Sequence, residues 1–340
     1  LKGAYRAQSR SKEIFVNRNL KMESIEMLGF DMDYTLLMYK KKAVEEKAFH
    51  LTIEFLIQNF QYPESIKKAH YVREFAKRGL MVDKRRGNVF KINRHHYVVR
   101  GYHGRSELSR TERRQMYLVG RQYGDIPEFY WVDTLFELPI VCLYSEVVQV
   151  FDDNGIKVDY EKVFDEVRTA IDTVHRNDSL KSAIRSEPDQ FIDKDENLAK
   201  TLHKFRSAGK RLFLLTNSEP SYTDFIMKYL LDSALKGYPS WKNYFDYIVC
   251  SSAKPAFFTQ ERPFYDVIEN YQLGKPVTHL LPHKMYVGGN IKEFERFTNI
   301  SGDNILYVGD HIYGDIITPK KGTLWRTALI LQDLEDEIIT

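Results

Sequence analysis

The chain of 340 residues is poor in cysteine and has no long uninterrupted hydrophobic run. Only Cys142 and Cys250 occur, both in apolar stretches and without the close spacing of metal-binding cysteines. This pattern is typical of buried packing thiols in a reducing compartment. The longest apolar window, residues 131–151, is interrupted by acidic residues, and no basic-then-apolar leader opens the chain. We therefore expect neither a membrane span nor a signal peptide, and predict a soluble, cytoplasmic protein.

The chain also lacks a strong excess of charge of either sign. Lysine and arginine number 50 against 47 acidic residues, a net charge of +3, which does not favour nucleic acid or membrane as a partner. One segment, residues 84–121, is an exception, with 11 Lys or Arg against Glu107 and Glu112. We interpret it as a solvated hairpin face, a subunit contact or a positive funnel for nucleotides, with a nucleic-acid-binding module as the alternative.

The distribution of apolar residues predicts an α/β fold. Hydrophobic residues make up 43% of the chain, enough for a full core and a second domain. Helical patterns at residues 197–207 and 222–235 alternate with buried-strand patterns, which is typical of a Rossmann-like parallel sheet covered on both faces. The four segments with the character of buried strands are residues 25–30, 211–215, 247–250 and 305–308.

The distance between the first two strands predicts an insertion. About 180 residues separate them, whereas one βαβ unit takes roughly 30. We therefore expect a large inserted cap domain over residues 42–196, between a first core part at 20–41 and a second at 197–330.

Two elements are predicted within the insertion. Residues 80–82 and 89–92 have the pattern of an antiparallel hairpin, turned at residues 86–88. Residues 161–175 form a strongly amphipathic helical pattern. Its apolar stripe consists of Val163, Val167, Ile171 and Val174.

Chemistry is predicted first at the end of the first strand, where Asp31 and Asp33 stand one residue apart. In a parallel sheet, reactive groups collect at the carboxyl ends of the strands. A carboxylate nucleophile can attack a phosphoryl group and form an aspartyl phosphate. A second carboxylate can protonate the leaving alkoxide and later deprotonate the attacking water. Taken alone, this pair of acids also fits an ordinary loop.

The residues that follow the three later strands favour a catalytic site over an ordinary loop. A hydroxyl and backbone N–H groups at a helix start suit phosphate oxygens, a lysine can neutralise the attacked phosphate, and paired acids suit Mg²⁺. Each feature is common in ordinary loops, but this order at successive strand ends predicts one phosphoryl-transfer site. The residues are Thr216, Asn217 and Ser218 after the second strand, Lys254 after the third, and Asp310 and Asp315 after the fourth.

These motifs resemble those of the haloacid dehalogenase-like phosphohydrolases. Phe-Asp-Met-Asp-Tyr-Thr-Leu, Leu-Thr-Asn-Ser, Ala-Lys-Pro-x-Phe-Phe and Tyr-Val-Gly-Asp-His-Ile-Tyr-Gly-Asp-Ile are similar, in particular, to those of the cytosolic purine 5'-nucleotidase family. The resemblance covers residues 27–327 and is looser between 42 and 130. It implies a Mg²⁺-dependent hydrolase of purine nucleoside 5'-monophosphates, with IMP and GMP preferred. It also suggests a homo-oligomer, a dimer or a tetramer.

The resemblance implies a role for each position. Asp31 would be the nucleophile and Asp33 the acid and base, while Lys254 would balance the charge of a phosphate bound at residues 216–218. Magnesium would be held by Asp31, the backbone carbonyl of Asp33 and Asp310, with Asp315 in support. Positioning and electrostatics would supply most of the rate.

A base pocket is expected in the insertion. Arg168, Asp172 and His175 fall on one face of the predicted helix, where an arginine and a carboxylate could recognise the 6-oxo group and N1–H of hypoxanthine or guanine. Phe136 could stack on the base, and Lys181 could approach the phosphate. The alternative is a surface ion pair of little energetic value.

The chain departs from the family at two of the neighbouring positions. Arg176 stands where the family has an aromatic residue, and Asp133 stands where it has an amide. The effector-binding arginine of the family is not evident near Tyr123, so we assign no allosteric nucleotide site.

Two other functions remain open from the residues. The aspartyl phosphate could be passed to a nucleoside hydroxyl, which would make the protein a nucleoside phosphotransferase. A nucleotidase-domain protein could also keep the motifs of the core and act as a nucleotide-binding or nucleic-acid-binding module.

Overall fold

The computed structural model describes residues 13–72, 75, 79–117, 126–132 and 138–332. The chain divides into two compact units: residues up to Tyr39 together with those from Ile192 onward form the first, and Lys40–Phe191 form the second. Each unit has its own core. Among the described residues, no helix combines the length and the apolar character needed to span a bilayer.

Strands and helices occur in both units. The strands are β1 (Met27–Phe30), β2 (Met38–Tyr39), β3 (Leu80–Asp83), β4 (Asn88–Ile92), β5 (Val98–His103), β6 (Ser106–Glu107), β7 (Phe129–Val132), β8 (Ile192–Asp193), β9 (Arg211–Leu215), β10 (Tyr247–Cys250), β11 (Phe264–Val267), β12 (Leu273–Pro276), β13 (Met285–Gly288), β14 (Ile305–Gly309) and β15 (Arg326–Leu329). The helices are α1 (Lys41–Phe60), α2 (Arg110–Met116), α3 (Leu138–Asp153), α4 (Tyr160–Arg176), α5 (Asp178–Ser186), α6 (Pro188–Phe191), α7 (Leu198–Ser207), α8 (Pro220–Leu231), α9 (Ala256–Thr259), α10 (Ile291–Thr298) and α11 (Thr318–Gly322).

The first unit is built on an eight-stranded sheet in the order β12-β11-β13-β10-β9-β1-β14-β15. The strands from β13 to β15 in this order are parallel, and β11 and β12 add an antiparallel hairpin at one edge. The predicted Rossmann-like parallel sheet is therefore confirmed. The predicted strands at 211–215 and 247–250 have the observed bounds, whereas β1 starts at Met27 and β14 extends to Gly309. The sequence did not indicate β13 or the edge hairpin.

The second unit contains a five-stranded antiparallel sheet in the order β6-β5-β4-β3-β7 and the helices α1 to α6. The predicted hairpin is confirmed as β3 and β4, and the predicted helix as α4. All four residues of its apolar stripe are buried. The predicted insertion, residues 42–196, overlaps this unit almost completely.

The two cysteines, one in each unit, are both buried, and burial raises the pKa of each thiol to about 12.

An aromatic layer determines how closely the central strands pack. Phe213 on β9 stands beside Gly29 on β1, and its ring lies 4.7 Å from that of Phe294 and 5.7 Å from that of Trp325, between centroids. A Cβ atom at position 29 would lie 2.0 Å from Cζ of Phe213. Glycine is therefore required at position 29, because the ring occupies the space of any side chain.

We expect Gly29→Ala to lower the free energy of unfolding by about 1–3 kcal/mol, because overpacking a filled core forces its neighbours to shift. The measurement is urea unfolding followed by circular dichroism. Gly237→Ala is the matched control, since a Cβ there meets no atom within 4 Å, and its effect should stay within about 0.5 kcal/mol. Equal midpoints for the two variants would contradict this account of the core.

Candidate functional site

The turn after β1 places a buried methionine between two acidic side chains. Met32 is fully buried, and its carbonyl oxygen accepts a hydrogen bond from the backbone N–H of Leu37 at 2.9 Å. Tyr34 has a φ of 55°, in the left-handed region, where the chain reverses direction. Asp31 and Asp33, on either side of the buried Met32, are each partly accessible.

The amide of Asn217 joins the ends of β9 and β10. Its Oδ1 accepts from the backbone N–H of Lys254 at 2.6 Å and from Ser252 Oγ at 3.0 Å, and its Nδ2 donates to the carbonyl of Lys254 at 3.0 Å. In the same loop, Ser251 and Ala253 have positive φ values of 45° and 56°. The side chain of Asn217 therefore holds the loop that carries Lys254. Only the backbone N–H of Asn217 is then left for the predicted contact with phosphate.

Lys254 lies at the centre of the site. Its Nζ is 3.1 Å from Asp31 Oδ1 and 2.8 Å from Asp315 Oδ1, and it donates to Tyr307 Oη at 2.6 Å. These three partners match the three N–H groups of an ammonium. Burial alone lowers the pKa of Lys254, but attraction to the two carboxylates outweighs it and the net direction is upward. The ammonium therefore stays charged in a site where its side chain is only 4% exposed.

Asp315 depends on a glycine for its position. It lies on a single π-helical turn, Ile312–Ile317, and its Oδ2 accepts from the backbone N–H of His311 at 3.1 Å. A Cβ atom at position 309 would lie 2.5 Å from this oxygen. Gly309, at the end of β14, thus allows the carboxylate to pack directly against the strand.

The acidic side chains fit a divalent cation. One carboxylate oxygen from each of Asp31, Asp310 and Asp315 lies within 4.8 Å of the others. Ligands of an octahedral magnesium ion, bound at about 2.0–2.1 Å, stand roughly 2.9 Å apart when adjacent and 4.1 Å when opposite. Carboxylate oxygens are also the donors that Mg²⁺ prefers. The donor set and its spacing therefore suit magnesium, bound directly or through its waters.

Without a cation, two of these carboxylates hold protons near neutral pH. Burial raises the pKa of Asp31 to about 7, an effect that Lys254 partly offsets and Asp315 and Asp33 reinforce. Burial, together with the negative charges of Asp31 and Asp315, raises the pKa of Asp310 to about 8. Positive charge in addition to that of Lys254 is needed to keep all of these acids ionised at once.

Asp33 is held apart from this cluster. Its Oδ1 accepts from Tyr39 Oη at 2.6 Å, and its Oδ2 accepts from Ser218 Oγ at 2.7 Å. Its carboxylate is thus already paired, which leaves the backbone carbonyl for the predicted metal contact. Thr216 is fully buried, and its Oγ1 accepts from the backbone N–H of Ser218 at 3.1 Å. The roles predicted for Thr216 and Ser218 toward phosphate remain predictions.

The residues predicted to bind the base lie in the second unit. Arg168 is exposed on α4, with its guanidinium 4.9 Å from the ring centroid of Tyr130. Asp172, one turn further, is 3.8 Å from Arg176, and His175 is exposed on the same helix. The three residues therefore share an accessible face, as predicted.

Two further predicted residues complete that set. Lys181 is partly exposed on α5. Phe136 lies outside the described residues, so stacking on the base stays a prediction.

The basic segment is less positive than its composition indicates. Among the described residues of the segment, five cations pair with acidic side chains, four of which lie outside the segment in sequence. These neighbours reduce the positive field that the segment presents to a polyanion, and the nucleic-acid alternative stays a prediction. The pairs are Lys84–Glu161 at 2.9 Å, Arg85–Glu128 at 3.9 Å, Arg86–Asp83 at 3.1 Å, Arg100–Glu107 at 3.2 Å and Arg105–Asp153 at 3.5 Å.

Three tyrosines at the site were not predicted. Tyr39 and Tyr222 share a hydrogen bond of 2.9 Å beside Asp33. Tyr307 Oη accepts from Lys254 and donates to the carbonyl of Leu215 at 3.0 Å. Tyr307 sits within a strand and has the appearance of a core residue, while Tyr222 resembles part of an apolar helix face. Of the three, only Tyr307 could have been suggested by the sequence, because it lies near the carboxyl end of β14, where side chains can face the site.

Comparison with known proteins places these motifs in a family. The model of the 5' nucleotidase family matches residues 14–340. A 5'-nucleotidase domain-containing protein of Dictyostelium discoideum is 34% identical over 335 residues, which cover 96% of this chain and 56% of that protein. The human 5'-nucleotidase domain-containing protein 2 is 32% identical over 338 residues, covering 96% and 64%. The chain thus spans less than two thirds of these curated relatives.

Solved structures are more distant. An archaeal β-phosphoglucomutase from Pyrococcus sp. strain ST 04 is 12% identical, with a TM-score of 0.38 over 88% of this chain and 85% of that one. The assignment of the fold therefore rests on the strand order of the first unit itself.

We expect the affinity for Mg²⁺ to fall as the pH falls. The folded-state pKa values of Asp310 and Asp31 lie above the ordinary value of an aspartate. Asp310 therefore takes up a proton below about pH 8 and Asp31 below about pH 7, and a cation must displace those protons. The rise in melting temperature caused by Mg²⁺ should correspond to binding at least about tenfold weaker at pH 6 than at pH 8.5. Asp310→Asn should lose most of that rise.

The metal-free protein should show the complementary trend. In the folded state, Asp31 and Asp310 hold protons that the unfolded chain releases above about pH 4. The free energy of unfolding therefore declines as the pH rises from about 4 to about 8. Melting curves in EDTA between pH 5 and pH 9 measure this decline. An increase in melting temperature across that range would contradict the proposed ionisation of the site.

Proposed function

Because the chain belongs to the 5' nucleotidase family, we propose that it hydrolyses purine nucleoside 5'-monophosphates to nucleoside and phosphate. IMP and GMP are the preferred substrates in this proposal, and Mg²⁺ is the cofactor. One observation carries it: four strand ends bring together two acids in a turn, a hydroxyl, a buried lysine and a further pair of acids. Ser218 and Lys254 contact the acids of the turn directly, and one oxygen each of Asp310 and Asp315 lies within 4.8 Å of one of Asp31. This is the set of groups that a two-step phosphoryl transfer requires.

Asp31 is the nucleophile of the first step. Its Oδ1 accepts from the backbone N–H of Met32 at 2.7 Å and faces Lys254 at 3.1 Å, which fixes the orientation of the carboxylate. Attack of a carboxylate oxygen on phosphorus forms an O–P bond while the bond from phosphorus to the 5'-oxygen breaks. Lys254 balances the charge that develops on the phosphoryl oxygens. When bound, Mg²⁺ would be held by Asp31, Asp310 and the Asp33 carbonyl, and would supply further positive charge.

Asp33 moves the protons of both steps. In the first, it donates a proton to the departing 5'-oxygen and so releases the nucleoside as an alcohol. In the second, it takes a proton from the water that attacks phosphorus, and the bond to Asp31 breaks to release phosphate. Its position apart from the cation cluster, between the hydroxyls of Tyr39 and Ser218, suits a group that must gain and lose a proton.

The exposed face of α4 supports the purine preference. A guanidinium and a carboxylate four residues apart, Arg168 and Asp172, can together contact a 6-oxo group and an N1–H. The ring of Tyr130 lies under the guanidinium, which orients it and leaves its edge for hydrogen bonding.

The overall reaction is tested with a panel of nucleoside monophosphates, with and without Mg²⁺. Release of phosphate supports hydrolysis, and transfer to added inosine would show the phosphotransferase. A salt-sensitive shift of RNA without turnover would favour the binding module.

We expect Asp31→Asn to lower kcat by at least about a thousandfold, because a neutral amide cannot form the acyl phosphate. Phosphate release from IMP and GMP is the measurement. Asp303→Asn is the matched control, since this exposed acid lies 3.6 Å from Arg326 at the surface of the same unit, and its turnover should be unchanged. Full turnover by the Asp31 variant would exclude covalent catalysis at this position.

A second prediction concerns the base. Asp172→Ala should lower kcat/KM for GMP by about tenfold or more, because the acceptor for N1–H is removed, and should leave p-nitrophenyl phosphate unaffected. Asp165→Ala, on the same helix and exposed, is the control. An equal loss with both substrates would refute the role in base recognition.

A further inference from the structure

The two oxygens of Asp33 have different surroundings. Oδ1 accepts from Tyr39, whose hydroxyl is 2.9 Å from that of Tyr222, a residue only 2% exposed on α8. Oδ2 accepts from a single hydroxyl, that of Ser218 in the loop after β9. One oxygen thus faces two linked phenol hydroxyls, the second of which belongs to a buried residue, and the other faces a partly buried loop residue that the family resemblance assigns to phosphate.

The direction of the tyrosine chain follows from the number of protons. A phenol has one O–H, and that of Tyr39 is donated to Asp33 at 2.6 Å. Tyr39 can therefore only accept in its contact with Tyr222, so Tyr222 is the donor. Hydrogen bonds that point the same way along a chain strengthen one another. The result is a fixed donor aimed at Oδ1.

The backbone of Tyr39 is fixed as well. It belongs to β2, which pairs with β8 in antiparallel register, Tyr39 opposite Ile192. Its partner Tyr222, by contrast, belongs to the first turn of α8, which begins at Pro220, and Tyr222 follows Ser218 by four positions. Two separate segments of the first unit thus converge on one carboxylate.

We propose that Tyr39 is a positioning residue that holds Oδ1 of Asp33, so that Oδ2 is the oxygen that carries the proton during turnover. This rests on the proposed function. Ser218 turns its hydroxyl toward the bound phosphate and thereby frees Oδ2, while the two tyrosines keep the carboxylate plane in place. In the first step, the O–H bond at Oδ2 breaks as the proton moves to the leaving 5'-oxygen. In the second, Oδ2 takes a proton from water.

The test compares leaving groups in the pre-steady state. A nucleoside leaves as an alkoxide and needs a proton, whereas p-nitrophenolate leaves without one. With Tyr39→Phe in the full chain, the first release of guanosine from GMP should slow by about tenfold, the worth of one well-placed hydrogen bond to a charged group. The burst of p-nitrophenolate should stay within about twofold. KM for GMP should be unchanged.

Two controls separate positioning from general damage. Tyr244→Phe removes a hydroxyl from another buried tyrosine of the same unit, one that has no hydrogen-bond partner among the described residues, and should alter neither rate. In an Asp33→Asn background, Tyr39→Phe should cause no further slowing. Equal slowing with both substrates, or a full additional loss in that background, would overturn the assignment.

Melting temperatures of the same variants give a readout independent of turnover. Groups in direct contact are coupled, so the shifts caused by Tyr39→Phe and Asp33→Asn should not add. Additive shifts would overturn the contact itself. Coupled shifts in a protein that turns over neither substrate would instead overturn the proposed hydrolase activity, and with it the role of Oδ2 as the proton carrier.

Discussion

One buried ammonium organises the site. Lys254 has carboxylates of two strand ends and a phenol within 3.1 Å, and its side chain is almost fully enclosed. A buried charge is tolerated only when it is paired and hydrogen-bonded, so the loops that carry these partners must meet around it. The amide of Asn217 holds the backbone of Lys254, and the absence of a side chain at Gly309 allows Asp315 to approach.

The arrangement separates two kinds of acid. Asp31, Asp310 and Asp315 are crowded together, and their mutual repulsion and burial are relieved only by positive charge. Asp33 stands outside this cluster and is bound by neutral hydroxyls instead. Two acids one residue apart thus have different neighbours, charged groups around Asp31 and hydroxyls around Asp33.

Much of the first unit could be predicted from local patterns. Short apolar segments that end in polar residues mark parallel strands, and two of the four predicted strands, β9 and β10, have their predicted bounds. The edge hairpin was missed because β12 is largely exposed and β11 is only partly buried, so neither has the pattern of a buried strand. Only the first half of the four-residue β13 is buried. The charge balance of residues 84–121 could not be read from the segment alone, since several acids that pair with its cations come from distant parts of the sequence.

The sequence by itself determined which chemical groups stand at the strand ends and in what order, because a strand and the loop that follows it are contiguous in the chain. Tertiary structure alone decided which of those groups touch. The pairing of Tyr39 with Asp33 and of Tyr307 with Lys254 joins residues from different segments, and nothing in a tyrosine's immediate neighbours distinguishes one that packs from one that donates a hydrogen bond. Such contacts are set by the close packing of the whole core, to which every strand contributes.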